Sequence, residues 1–157
     1  MAEVDHDAIK EAMVTILEAD ATLYDATGAL DKVRQINAGH PHHTNGLEDL
    51  YPSIYITNSN PLDRIRVKGT TVSSAAPCLE HTFRYKIVVL EQTKNSRDTE
   101  KSLDDRQKLV LEALEGDITL GGSVDFSRPE LVETFSVTLN GKTVQGRTIT
   151  YLLRKLT

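Results

Sequence analysis

Tryptophan is absent from the 157 residues, cysteine occurs once and methionine twice. With Cys78 alone, no disulfide can form within the chain, so a reducing compartment suits it and a stapled secreted scaffold is not expected. Aromatic residues make up only 5%, which provides poorly for the stacking platforms that hold sugars or single-stranded nucleic acid. Nor is there a basic excess. Eighteen Lys and Arg stand against 23 Asp and Glu, a formal charge of −5, which argues against free-standing DNA binding. No apolar run approaches membrane-spanning length, and the opening residues Glu3, Asp5 and Asp7 are acidic where a signal peptide would be basic. No glycosylation sequon occurs. Signatures of known chemistry are missing too: Ser73-Ser74 has no nucleophile elbow or ordered triad, and Gly121-Gly122 lacks the spacing of a phosphate loop.

Hydrophobic residues at 39% and charged residues at 26% are ordinary for a globular chain. A chain of this length forms one domain by default and can bury a sizeable core. The first helix is written by Ile9, Ala12, Met13, Ile16 and Leu17, which recur at i, i+3, i+4, i+7 and i+8, with Asp5 or Asp7 placed to cap it. A second helix follows Ser96 and Asp98, both competent caps. Leu103, Gln107, Val110, Leu111 and Leu114 mark its inner face, and Gly116 suits its end. Asp104, Asp105, Glu112 and Glu115 fall on its solvated side.

The strands carry more information. From Leu79 to Glu91, apolar and polar residues alternate with period two, as in a strand with one wet face. Extended, that run would span about 44 Å. A compact domain of this size measures about 39 Å across, so the strand either crosses the whole domain or protrudes from it. Before it, a strand is expected at 50–57, a turn at Asn58-Ser59-Asn60-Pro61, and a strand at 64–68 whose hairpin tip is 70–77. After the second helix, Leu131, Phe135, Val137 and Leu139 share a face. Asn140-Gly141 marks a tight hairpin, because both residues accept positive φ. The return limb, 142–156, is interrupted at Gly146. The stretch 25–49 is polar and punctuated by Gly28, Asn37, Gly39, Pro41, Asn45 and Gly46. It reads as an irregular insertion with room for a short helix near 30–36. The expected architecture is a two-layer α+β domain spanning the chain: a mainly antiparallel sheet of about four to five strands, two helices on one face, and a long β-hairpin arm.

That order resembles the tail terminator (tail-completion) proteins of tailed bacteriophages and related tailed viruses. The resemblance is carried by the opening helix at 8–19, by Tyr51-Pro52-Ser53-Ile54-Tyr55-Ile56 after a loop, and by Phe83-Arg84-Tyr85-Lys86-Ile87-Val88-Val89 leading into the helix at 98–115. The closing strand pair, 134–139 with 148–153, completes it. Only 25–49 falls outside the pattern. The resemblance implies a structural virion protein of the tail and neck, made in the host cytoplasm. The form it implies is a homohexameric ring that caps the tail tube and meets the head–tail connector or stopper, with DNA threading the lumen without sequence-specific contact. It implies no catalytic residue and no cofactor. A neck stopper or adaptor is the nearest alternative role.

Two residue groups are candidates for function. Arg64, Arg66 and Lys68 share one strand face, and Arg84 and Lys86 share one face of the next strand. They form an interface stripe for an acidic neighbour or for DNA, or else a solvated sheet face balanced by Glu80 and Glu91. The second group is His40, His42 and His43 with Cys78 and His81. Cys-x-x-His puts two soft ligands at a spacing zinc can use, and loop imidazoles could complete a tetrahedron, which would suit a small metal-dependent enzyme. Against this, His81 lies on the apolar period of its strand, where a packed, hydrogen-bonded histidine is the commoner role.

Overall fold

The computed structural model describes the backbone of residues 4–27, 32–39, 51–68, 78–92, 96–139 and 141–157, and the side chains of all but 60–68, 78, 96, 139 and 142. Its elements run α1 (His6–Glu18), β1 (Gln35–Ala38), β2 (Ser53–Lys68), β3 (Cys78–Gln92), α2 (Ser96–Glu115), β4 (Phe126–Leu139) and β5 (Lys142–Leu156). One five-stranded sheet has the order β1-β2-β3-β5-β4. All its pairings are antiparallel except β1 with β2. Two helices and this mostly antiparallel mixed sheet make the expected α+β fold.

The odd positions of β3 decide where the core lies. Phe83, Tyr85, Ile87 and Val89 are all fully buried. They form one cluster with Ile9, Met13, Val14 and Leu17 of α1, Leu103, Val110 and Leu114 of α2, and Ile149, Tyr151 and Leu153 of β5. Both helices therefore pack on the same face. Each large side chain so buried contributes about 1.5–3 kcal/mol through removal of apolar surface from water. Local chemistry sets the helix start: Asp5 accepts a hydrogen bond from the Ala8 amide at 3.0 Å, satisfying a donor that the first turn leaves free.

The long strand is resolved in favour of crossing the domain. β3 pairs with β2 from Ser53↔Leu90 to Lys68↔Cys78 and with β5 from Glu80↔Leu156 to Gln92↔Val144. Leu79 and Thr157 then exchange backbone hydrogen bonds at 3.1 and 2.9 Å. The hairpin tip expected at 70–77 lies outside the described residues.

Several expectations are corrected. The stretch 25–49 is not uniformly irregular. Its 35–38 segment is strand β1, parallel to β2, where a short helix had room, and Tyr24 bridges Val33. Leu23, Val33 and Ile36 belong to the main core, so apolar burial overrides the turn-rich composition around them. The turn expected at Asn58 to Pro61 is absent. β2 runs straight through, and the turn-forming residues appear as register shifts at Asn58/Asn60 and Asn60/Arg64. Gly146 does not interrupt β5. A Cβ there would lie 2.3 Å from Phe135 Cζ and 2.8 Å from the Val89 carbonyl oxygen, so the glycine is needed for the ring of the neighbouring strand to lie against the backbone.

Two predictions follow from this packing. Gly146→Ala should lower unfolding free energy by about 1–3 kcal/mol, because one of the opposing atoms is backbone; urea denaturation measures it. Tyr151 supplies the second. Burial pushes its phenol up to about 12, with the Glu115 charge adding to the effect. The unfolded tyrosine ionises near 10 while the folded one stays neutral. The stabilisation is therefore whole below pH 10 and is lost as pH rises through the folded value. Tyr151→Phe should make stability fall less steeply between those limits, by up to about 1.4 kcal/mol per pH unit. Urea midpoints measured across that range test it.

Candidate interaction face

Because both helices occupy the odd face of β3, no described helix covers the even face. Register assembles that face row by row. Arg66 stands beside Glu80 and Leu156, and Arg64 beside Thr82, Arg154 and Phe126. Next come Arg84, Leu152 and Arg128, then Thr57, Lys86, Thr150 and Leu131. All five expected interface positions, Arg64, Arg66, Lys68, Arg84 and Lys86, thus register on the face opposite the helices. Sequence reasoning missed Arg128 and Arg154, which extend the basic stripe across the sheet. Only the strand order, with β5 inserted between β3 and β4, brings them beside it.

The side chains differ in environment. Lys86, Arg128 and Arg154 are exposed. Arg84 donates from Nε to Glu130 Oε2 at 2.7 Å and from Nη2 to Oε1 at 3.3 Å. Glu130 comes from the register shift between Pro129 and Leu131 in β4, so this bulge supplies the carboxylate that forks the guanidinium. The Arg154 guanidinium lies 5.9 Å from the Phe126 ring centroid, within cation–π range.

Toward the other end of the same face the surface becomes apolar. Val88, Leu90 and Val144 are buried beneath Tyr51, Tyr55 and Phe135, which are only partly covered. The apolar positions of β4 flank this cluster: Leu131 is 52% exposed and Val137 39% exposed. Leu156, at 42%, registers on the same face. The shared face that the sequence assigns to Leu131, Phe135 and Val137 is therefore real, but it points away from the core. Burial of the Tyr55 phenol raises its ionisation above the ordinary value, with the nearby Tyr51 adding to the shift.

The outer surface of the helices has the opposite character. Among the described exposed positions of α1 and α2, acidic residues outnumber basic ones nine to three. The buried cations there are already engaged. Arg106 pairs with Glu91, and Arg147 reaches Asp104 at 2.7 Å and Gln107 at 2.6 Å. A cleft of about 370 Å³ opens beside Arg147, lined by Glu100, Leu103, Thr134, Ser136 and Gln145.

Of the second candidate group, only the His81 side chain is described. His81 is buried, and its Nε2 lies 2.9 Å from Thr157 Oγ1 in the core end of the sheet. His40, His42 and His43 lie outside the described residues, as does the Cys78 side chain. Among the described residues no cluster of three or more His, Cys, Asp or Glu could hold a metal ion. No described helix is long and apolar enough to cross a membrane. A scan against protein-family models and a search of curated proteins found no match to the chain.

With His81 held by Thr157, zinc and chelator should both leave thermal stability unchanged. A differential scanning fluorimetry shift above about 2 °C on adding either would restore the metal reading.

Proposed function

We propose that the chain is a structural virion protein of the tail-terminator type. Six copies form a ring that caps the tail tube and joins it to the head–tail connector. One observation carries this reading: the five basic interface positions register on a single sheet face that no described helix covers and that also exposes Leu131, Val137 and Leu156. Among the described residues, three of the four exposed large hydrophobics lie there, the fourth being Ile118 in the α2–β4 connection. Isolated monomers rarely leave so much apolar and charged surface together on one flat face, whereas a face that meets a partner is built this way.

The edges of the sheet support the same reading. Among the described residues, β4 has a partner on one side only along its 14 residues, and β2 is flanked by β1 only from Ser53 to Ile56. Open edges accept strands from neighbours and are otherwise a hazard. Pro129 and the adjacent bulge blunt one part of the β4 edge, leaving 131–139 for addition. A heterologous contact repeated with a fixed rotation closes into a ring. DNA passes through its lumen without base-specific contact, since the chain as a whole is acidic.

Electron microscopy of purified tails tests the assignment. Density for this chain as a ring on the end of the tube is expected. Density on the connector side of the joint would identify a stopper or adaptor instead. Deleting residues 70–75 should leave a folded chain that no longer sediments as an assembly, because the β2–β3 pairing runs on to Lys68↔Cys78, beyond the last β3–β5 pair at Glu80↔Leu156. Unchanged assembly would count against the hairpin as a contact.

A further inference from the structure

The two faces of this protein complement one another in charge. On one side, the exposed helix surface is acidic nine to three. On the other, the bare sheet face carries Lys86, Arg128 and Arg154 exposed, Arg84 half-buried, and Arg64, Arg66 and Lys68 at register positions beside them. Among the described residues, the carboxylates on that face are fewer: Glu80, Glu133, and Glu130, which is bound to Arg84.

We infer that the occupant of the bare sheet face is a second copy of this chain, docked front to back, with its acidic helix surface against the basic rows. The inference rests on the self-assembly reading above and specifies which surfaces meet. Charge complementarity of this kind sets orientation and register more than raw affinity. It also disfavours symmetric face-to-face pairing, which would oppose cation to cation, and back-to-back pairing, which would oppose carboxylate to carboxylate. Only the heterologous arrangement places opposite signs together, and that arrangement is the one that closes into rings.

Nucleic acid is the competing occupant, and the face itself argues against it. The face also exposes Leu131, Val137 and Leu156, with Phe135 only partly covered. A phosphate backbone leaves such a surface wet, whereas a protein layer removes it from water. The formal charge of −5 on the whole chain adds a repulsion that a small basic patch must overcome.

The test uses charge exchange in the full-length chain. One variant carries Lys86→Glu, Arg128→Glu and Arg154→Glu, which turns seven cations against three carboxylates on the sheet face into four against six. The other carries Glu11→Lys, Glu18→Lys, Asp105→Lys and Glu112→Lys, which turns nine acidic against three basic positions on the helix face into five against seven. All seven positions are exposed. In sedimentation velocity at low ionic strength, the wild type is expected to assemble and each variant alone to remain monomeric, with association weakened at least tenfold. An equimolar mixture of the two variants should assemble again, because each acidic face now meets a basic partner. That recovery also shows that both variants are folded. Assembly of the wild type should weaken as salt is raised.

Other outcomes overturn the inference. Variants that assemble like the wild type, or a mixture that fails to recover, remove the front-to-back contact while leaving self-assembly standing. A wild type that stays monomeric at every concentration, with and without added tail tubes, removes the self-assembly reading as well. Labelled duplex DNA bound by the wild type and released by the sheet-face variant, with assembly unchanged, assigns the face to nucleic acid.

Discussion

The period-two alternation of β3 constrains everything else in the molecule. Its odd side chains, Phe83, Tyr85, Ile87 and Val89, are large and apolar, and they draw both helices onto one side of the sheet. Tyr85 shows how firmly that side is closed. Its hydroxyl is 2.7 Å from His6 Nδ1, and burial holds its ionisation far above the usual phenol range, with the charges of Asp7 and Asp5 contributing. A sheet that commits both of its helices to one face has none left for the other. The bare face with its basic and apolar halves is thus the direct counterpart of the core.

The β3 pattern was legible in the sequence because β3 is central and paired on both sides, so burial on one face is nearly complete. The helices were legible for the same reason: Leu17, Val110 and Leu114 repeat at helical spacing against a single surface. Edge elements were not. β1 is four residues long and reads as loop because Asn37, Gly39 and the glycines around it dominate its neighbourhood, although Ile36 and Val33 are buried. Similarly, Asn58 to Pro61 carries strong turn chemistry, yet long-range pairing with β3 keeps β2 extended on either side of the bulge. Tertiary context outweighs local propensity wherever a short segment has a partner waiting for it.

The candidate face was half legible. Period two grouped Arg64, Arg66 and Lys68, and separately Arg84 and Lys86, but nothing local relates one strand's phase to another's. The register Arg64↔Thr82 and Asn60↔Arg84 supplies that relation and places both groups on one side. Arg128 lay beyond reach because the bulge at Pro129/Leu131 changes the phase of β4 partway along. Without the bulge, Arg128 and Leu131 could not both sit on the bare face, since they are an odd number of residues apart.

Opposite charge on the two sides of a single sheet makes each subunit an electric dipole directed along the sheet normal, across layers roughly 10 Å apart. In a linear stack of such units the moments add, and the exposed ends carry uncompensated charge. Around a closed circuit the same moments turn through a full revolution and sum to zero in its plane. In the proposed ring, closure would therefore remove a field that any open arc retains.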